Sequence, residues 1–439
     1  MSQSSTLARL FSKPWVDPLC LWGMSWLLPA AHCWGAAHAG DVAAFASELA
    51  LKDIPPAIAA RVRQTGALRT LSLAAQARWE AAAFTSAGDL PVAELARRDA
   101  AHNYLGQRFA YLWFARRRRI PAARLDVPPP AELDALEPDT DRYFALETIP
   151  EIERSVIIEH ADVREYWLRY PSADAPGDLC YVHVYEGRPH DGRPLPSLIF
   201  GHGLGMEMEM MRGDMRGYRS LAAQYGARIL LPDAPGHNRR VAPGSYGGES
   251  FIKHPPLSGL RHFRKAAREL GALIAWCRSQ GAGNVGPGKV ALGGISLGAL
   301  TTQVTAQHMR YWPADARPDG LLLLTTTDAV SALTFQSSLA RITGLRQAAE
   351  GAGWNADAVA RMGRYTDSQA PAPVDPAQIV LLIGARDDVT PYDGGRRLAE
   401  KWQIPPENLF VRNQGHFSAA IGLGPDPAPF SRILALLNR

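Results

Sequence analysis

A serine stands between Gly294 and Gly298 in the stretch Lys289 to Leu300, KVALGGISLGAL, where a continuously apolar run gives way to small, helix-compatible residues. A serine hydroxyl is a poor nucleophile at neutral pH. To attack a carbonyl carbon, Ser296 needs a base to take its proton and an acid to orient that base. The chain has twelve histidines, so position must select among them. His416 closes the run NLFVRNQGH near the C-terminus, and the preceding apolar run, QIVLLIGARDDVTP, ends in the doublet Asp387-Asp388. Serine, acid and histidine thus follow in that order, each at the end of an apolar run. Together they could carry nucleophilic acyl transfer. Asp328, which closes GLLLLTTTD, is a third carboxylate in an equivalent position.

These side chains can meet only if the runs that carry them lie side by side. From about residue 150, SVIIEHADVREYWLRY and LCYVHVYEG alternate apolar and polar residues, as an antiparallel pair with one face in water requires. The later runs SLIFGHG, ARILLPDAPG, KVALGGISLG, GLLLLTTTD, QIVLLIGARDD and LFVRNQGH are continuously apolar and are separated by segments long enough for a helix. That texture predicts an α/β domain whose mostly parallel eight-stranded sheet has helices on both faces. Reactive groups in such a sheet gather beyond the carboxyl ends of the strands. Ser296, the Asp387-Asp388 doublet and His416 then belong to strands five, seven and eight.

Three further stretches sit at strand ends: Gly201-His202-Gly203-Leu204-Gly205, Pro232-Asp233-Ala234-Pro235-Gly236-His237, and Gly384-Ala385-Arg386-Asp387 with Thr390-Pro391 behind it. With the Gly-x-Ser-x-Gly turn and His416, these make residues 150 to 439 resemble the α/β-hydrolase superfamily. The resemblance implies a carboxylesterase-like serine hydrolase: Ser296 as nucleophile, His416 as base, and Asp387 as acid, preferred over Asp388 by the G-x-x-D spacing and over Asp328. It also implies an oxyanion hole built from the backbone N–H of Leu297 and that of Leu204 or Gly203. His202 and Met206 fall on the substrate side of that loop, His202 as its anchor rather than a base, and His237 is a turn residue. Acyl transfer, thioester cleavage or peptide cleavage would use the same three groups, and a non-catalytic binding protein of this fold is the rival from another class. The sequence departs from the pattern at Asn238-Arg239-Arg240, either a cationic entrance or a solvated pair of arginines. It departs again at the run Met206 to Met211, either an acyl-pocket lining or one face of a core helix.

The chain's 439 residues are 46% hydrophobic and 21% charged, an ordinary balance for a globular protein. Its 47 basic and 43 acidic side chains leave a net charge of +4. Arg116 to Arg119 form the one long basic tract, read as a solvated helix end; no nucleic-acid motif accompanies it, so nucleic acid is not an expected partner. The expected partner is a small-molecule ester. Neither cofactor nor metal is expected, because no His, Cys and carboxylate set has ligand spacing. Four cysteines without a C-x-x-C pair read as thiols of a reducing compartment, which makes the cytoplasm the expected location.

Residues 1–125 read as a helical region that could cover the site or make a homo-oligomer contact. Within it PLCLWGMSWLLPAAHCWGAAHA, Pro18 to Ala39, loosely resembles a signal peptide, and Pro29 and His32 interrupt what a membrane span would need. It is expected to form an aromatic helix pair, either buried or packed at an interface, with export or membrane-surface attachment as the alternative. Residues 126–149, rich in proline and acids, are expected as a linker, and residues 329–377 as a small helical cap inserted between strands six and seven.

Overall fold

Each of the eight apolar runs becomes a strand in the computed structural model, which describes residues 11–189, 193–206, 212–280 and 287–439. They are β3 (Val163–Ser172), β4 (Ala175–Gly187), β5 (Ser197–Gly201), β6 (Arg228–Pro232), β7 (Val290–Ile295), β8 (Gly320–Leu324), β9 (Ile379–Gly384) and β10 (Leu409–Arg412). Two strands of two residues each, β1 (Glu153–Arg154) and β2 (Ile158–Glu159), bring the sheet to ten. Both are antiparallel to β3, since the lead-in to that strand turns back on it through His160 N–H to Val163 C=O. The order along the sheet is β1-β3-β4-β6-β5-β7-β8-β9-β10, antiparallel through the β4–β6 pair and parallel from β6 to β10.

The central strands β7, β8 and β9 are buried along their whole length, which is why their sequences are apolar at every position rather than at alternate ones. Period two still sorts the side chains. Leu321, Leu323, Leu381 and Ile383 face the cluster under helices Leu257–Ser279 and Leu297–Gln307. Leu322, Leu324, Val380 and Leu382 face the cluster under helices Arg212–Tyr225 and Ala428–Leu437.

Helices Val16–Ala36, Val42–Glu48, Pro56–Phe84, Leu90–Gly106 and Leu112–Arg118 make up the N-terminal region. Residues 18–39 do not form a helix pair. One helix runs through Pro29 to Ala36. A proline inside a helix costs about 3 kcal/mol, and burial of Ala30, Ala31, Cys33 and Trp34 in the cluster around Phe45 and Tyr111 offsets it. Among the described residues no helix is long and apolar enough to cross a membrane. The region docks on the antiparallel edge of the sheet: Trp79 meets Trp167 of β3 edge-on at 5.4 Å, and the Tyr181 hydroxyl of β4 donates to Glu80 at 2.7 Å.

Residues 126–149 are not a free linker. Leu133, Tyr143, Phe144 and Leu146 are buried in the main core. The Trp354 indole N–H donates to Pro128 C=O at 2.8 Å and the Tyr365 hydroxyl to Glu137 C=O at 2.7 Å, so this segment straps the sheet domain to the 329–377 insertion. The insertion itself holds four short helices, Leu333–Gln336, Ser338–Thr343, Leu345–Gly351 and Ala356–Thr366.

Candidate active site

Strand β7 turns into helix Leu297–Gln307 within a single residue, and that residue is Ser296, at φ 54° and ψ −118°. Holding a non-glycine residue there costs about 1–3 kcal/mol. The flanking glycines make the turn possible: a Cβ on Gly294 would lie 2.2 Å from the Gly298 carbonyl carbon, and one on Gly298 would lie 2.2 Å from the Gly201 oxygen. Ser296 N–H is held by Leu324 C=O at 2.9 Å, which leaves the hydroxyl projecting beyond the sheet.

That hydroxyl lies 2.8 Å from His416 Nε2, and His416 Nδ1 lies 2.8 Å from Asp387 Oδ2. Nδ1–H donates to the carboxylate, so Nε2 is left as acceptor for the serine proton. Asp387 is buried but well solvated by protein. Its Oδ1 accepts Val389 N–H and Thr390 N–H at 2.9 Å each, and its Oδ2 accepts the Thr390 hydroxyl at 2.8 Å. The other two carboxylates are engaged elsewhere: Asp388 accepts the Ser338 hydroxyl at 3.0 Å, and Asp328 pairs with Arg397 at 2.8 Å.

His416 opens the short helix His416–Ile421, and the residue that caps this helix comes from the far end of the chain. Asp17 Oδ1 accepts Phe417 N–H at 2.7 Å and Ser418 N–H at 3.2 Å, while Oδ2 accepts the Ser418 hydroxyl at 2.5 Å. A Cβ at position 415 would lie 2.4 Å from the Asp17 carboxyl carbon, so only glycine admits this approach. Nothing in the sequence near Asp17 marks it for this task. Asp17→Ala will strand two buried N–H groups next to His416 and let the imidazole drift. A displacement of about 1 Å costs on the order of 10² in rate. We expect kcat to fall by about that factor with KM little changed and with partial rescue in Asp17→Asn. Unchanged kcat would show that the cap does not position the histidine.

Helix Leu297–Gln307 begins at Leu297, whose N–H has no intrahelical partner and faces the serine's surroundings. In the facing loop, Gly203 N–H points at the Met206 sulfur at 3.0 Å, whereas Leu204 N–H has no partner among the described residues. Of the two alternatives, Leu204 is the open donor. Met206 thus sits against the loop backbone; Glu207 to Met211, the rest of that methionine run, lie outside the described residues.

Among the described residues, His202 is not one of those lining the cavity at Ser296. It is buried, with Nδ1 donating to Gly203 C=O at 2.9 Å and Nε2 accepting Ala234 N–H at 3.2 Å, and so ties the two loops together. His237 does the same from the other side, accepting Gly205 N–H at 3.2 Å. Burial pushes His202 down, holds His237 far down with help from the neighbouring His202 and His262, and takes His262 to about 3 with Arg240 adding to the effect. The unfolded chain protonates these rings below about pH 6.5, but the folded protein keeps His262 neutral to about 3. Their contribution to stability is therefore complete above about 6.5 and is lost as pH falls below it. The thermal midpoint will drop between about pH 6.5 and 5, above the range where ordinary carboxylates titrate, and His262→Phe will flatten that slope in a pH series of melting curves.

Asn238, Arg239 and Arg240 form neither a cationic entrance nor a solvated pair. Asn238 and Arg239 bind Asp233 at 3.0 and 2.9 Å, and Arg240 is buried between Glu269 at 2.6 Å and Asp178 at 2.7 Å. Each cation is spent on a carboxylate beneath the loop.

Ser296 opens onto a cavity of about 110 Å³ whose lining, among the described residues, contains no charged side chain. Helix Leu257–Ser279 and the segment before it contribute Phe251, Leu260 and Phe263; the insertion contributes Val330, Leu333 and Met362. No described residue of the N-terminal region lines it. These pocket residues carried no signal in the sequence, since they are ordinary apolar residues of helices and of the segment before Leu333.

No family model and no curated protein matches the chain. Among solved structures, acetyl xylan esterase 1 from Thermoanaerobacterium sp. is similar at 14% identity and a TM-score of 0.44, over 68% of this chain and 96% of that one. The acetyl xylan esterase from Paenibacillus sp. R4 is similar at 15% identity and a TM-score of 0.45, over 68% and 99%. An esterase from Pyrobaculum calidifontis is similar at 19% identity and a TM-score of 0.36, over 70% and 92%. On the chain's own geometry, a mostly parallel sheet presents a serine on a strained strand-to-helix turn, with acid and histidine following in that order at later strand ends. The chain has the fold of the α/β-hydrolase superfamily.

Proposed function

We propose that the protein hydrolyses uncharged carboxylic esters through an acyl-enzyme on Ser296. One observation carries the reading: the continuous chain from Asp387 through His416 to Ser296 at 2.8 Å per link, opening on a cavity whose described lining is apolar and uncharged. Ser296 Oγ attacks the ester carbonyl carbon as its proton passes to His416 Nε2. Asp387 stays ionised and offsets the charge on the imidazolium. Leu297 N–H and Leu204 N–H receive the oxyanion, where loss of one such donor costs about 10²–10³ in rate. The tetrahedral intermediate collapses as the imidazolium protonates the departing alkoxide. Water then repeats the sequence on the acyl-enzyme, with His416 again as base, and releases the acid.

A cavity of about 110 Å³ is smaller than the roughly 150 Å³ apolar cavity that accommodates benzene. It suits an acyl group of a few carbons. A fluorophosphonate probe tests the mechanism: its adduct, mapped by peptide mass, is expected on Ser296, and labelling elsewhere or not at all would refute the assignment. A series of p-nitrophenyl esters, run beside thioesters and peptides, is expected to show highest kcat/KM for short acyl esters.

A further inference from the structure

The helix Val16–Ala36 has one face packed into the protein and one that none of the described residues covers. Its inner face carries Asp17 to the His416 helix and Trp34 into the N-terminal core. Its outer face carries Leu19, Trp22 and Trp26, with Trp15 at the N-cap, at the i, i+4, i+7 and i+11 spacing that makes one stripe on a helix. Trp15 is 48% exposed, Leu19 55% and Trp22 64%. The stripe continues onto the adjacent helix Leu112–Arg118, where Trp113 is 68% exposed. Ring centroids 5.6 Å apart for Trp22 and Trp26 and 5.3 Å for Trp26 and Trp113 make this one aromatic surface. Scattered exposed apolar residues need no explanation, but a contiguous patch with a polar rim marks a contact surface.

The rim identifies the contact. From Trp113 to Leu125 there are five arginines and no acidic residue. Arg116, Arg117, Arg118 and Arg119 are all exposed, and the Arg116 guanidinium lies 5.1 Å from the centre of the Trp26 ring. Asp53 pairs with Arg118, and the only acid on the tryptophan helix, Asp17, is buried and turned inward. Tryptophan beside arginine is the chemistry of the lipid headgroup layer, where the indole occupies the boundary and the guanidinium meets phosphate. A second copy of the chain would set one arginine-rimmed face against another, whereas an anionic lipid surface is complementary to it. No described helix is long and apolar enough to span a bilayer, so contact through this face is peripheral.

We infer that the outer face of helix Val16–Ala36, together with Trp113 and the Arg116–Arg119 run, docks the protein on the surface of an anionic lipid bilayer. The test is co-sedimentation of the full-length protein with vesicles rich in phosphatidylglycerol and with vesicles of phosphatidylcholine alone, alongside sedimentation velocity of the free protein. Binding is expected to the anionic vesicles and to be weak on the zwitterionic ones. Trp22→Ser/Trp113→Ser is expected to abolish it, and Arg116→Gln/Arg117→Gln to weaken it by about thirtyfold. Unchanged ester turnover in solution and an unchanged circular dichroism spectrum would show that both variants fold. Failure of the wild type to bind anionic vesicles overturns the proposal, as does undiminished binding by the tryptophan variant. A wild-type dimer that the tryptophan variant converts to monomer also overturns it, because the patch would then be a self-association surface.

Discussion

Ser296→Ala will lower kcat on any ester that the wild type turns over by about 10⁶-fold, and adding His416→Ala will cost almost nothing more. On the proposed mechanism the two groups act as one unit. The imidazole is useful only while a hydroxyl 2.8 Å away has a proton to give, and the hydroxyl is nucleophilic only while the imidazole can take it. What remains in the variant is binding plus the Leu297 and Leu204 donors, worth about 10³–10⁴ over water. Steady-state kinetics on a p-nitrophenyl ester, with the single and double variants purified in parallel, would measure this. If the two losses multiply instead of saturating, serine and histidine do not serve the same step, and the acyl-enzyme mechanism fails.

The second large effect separates two neighbouring carboxylates. Asp387→Asn will reduce kcat by about 10⁴-fold, while Asp388→Asn will stay close to wild type. In the asparagine variant the side-chain oxygen remains with Val389 N–H and Thr390 N–H, which leaves the amide NH₂ facing Thr390 Oγ and His416 Nδ1. A donor facing Nδ1 drives the proton to Nε2, and an Nε2–H cannot accept from serine. The fold should tolerate the change, because volume and most hydrogen bonds are kept. Asp388 is exposed and bound to Ser338 of the insertion, so its loss should loosen that contact without touching the imidazole. The reverse ranking of the two variants would move the acid by one residue.

The architecture was readable because strands buried on both faces are written as unbroken apolar runs, which few other environments require. Ser296, His416 and the Asp387-Asp388 doublet stood out for a related reason. Polar, chemistry-capable residues at the ends of such runs are conspicuous, and glycines at 294 and 298 announce a turn too tight for side chains. The two short strands β1 and β2 were not legible, since two-residue pairings follow from how a turn folds back rather than from any pattern of their own.

Contacts between segments far apart in the chain were settled by tertiary structure alone. Which acid of the doublet reaches His416 depends on the turn at Val389 and Thr390, which wraps one carboxylate and exposes the other. Arg239 and Arg240 looked like surface charge until Asp233, Asp178 and Glu269 arrived from three other segments to neutralise them. Residues 126–149 have a linker's composition, yet they supply backbone carbonyls to Trp354 and Tyr365 across some 230 positions. Asp17 caps the His416 helix from about 400 residues away. Local composition sets which segments are strand, helix or turn, because those preferences act over a few residues. Which distant donor meets which acceptor is decided only when packing brings their segments together, because a buried polar group must find a partner wherever the fold supplies one.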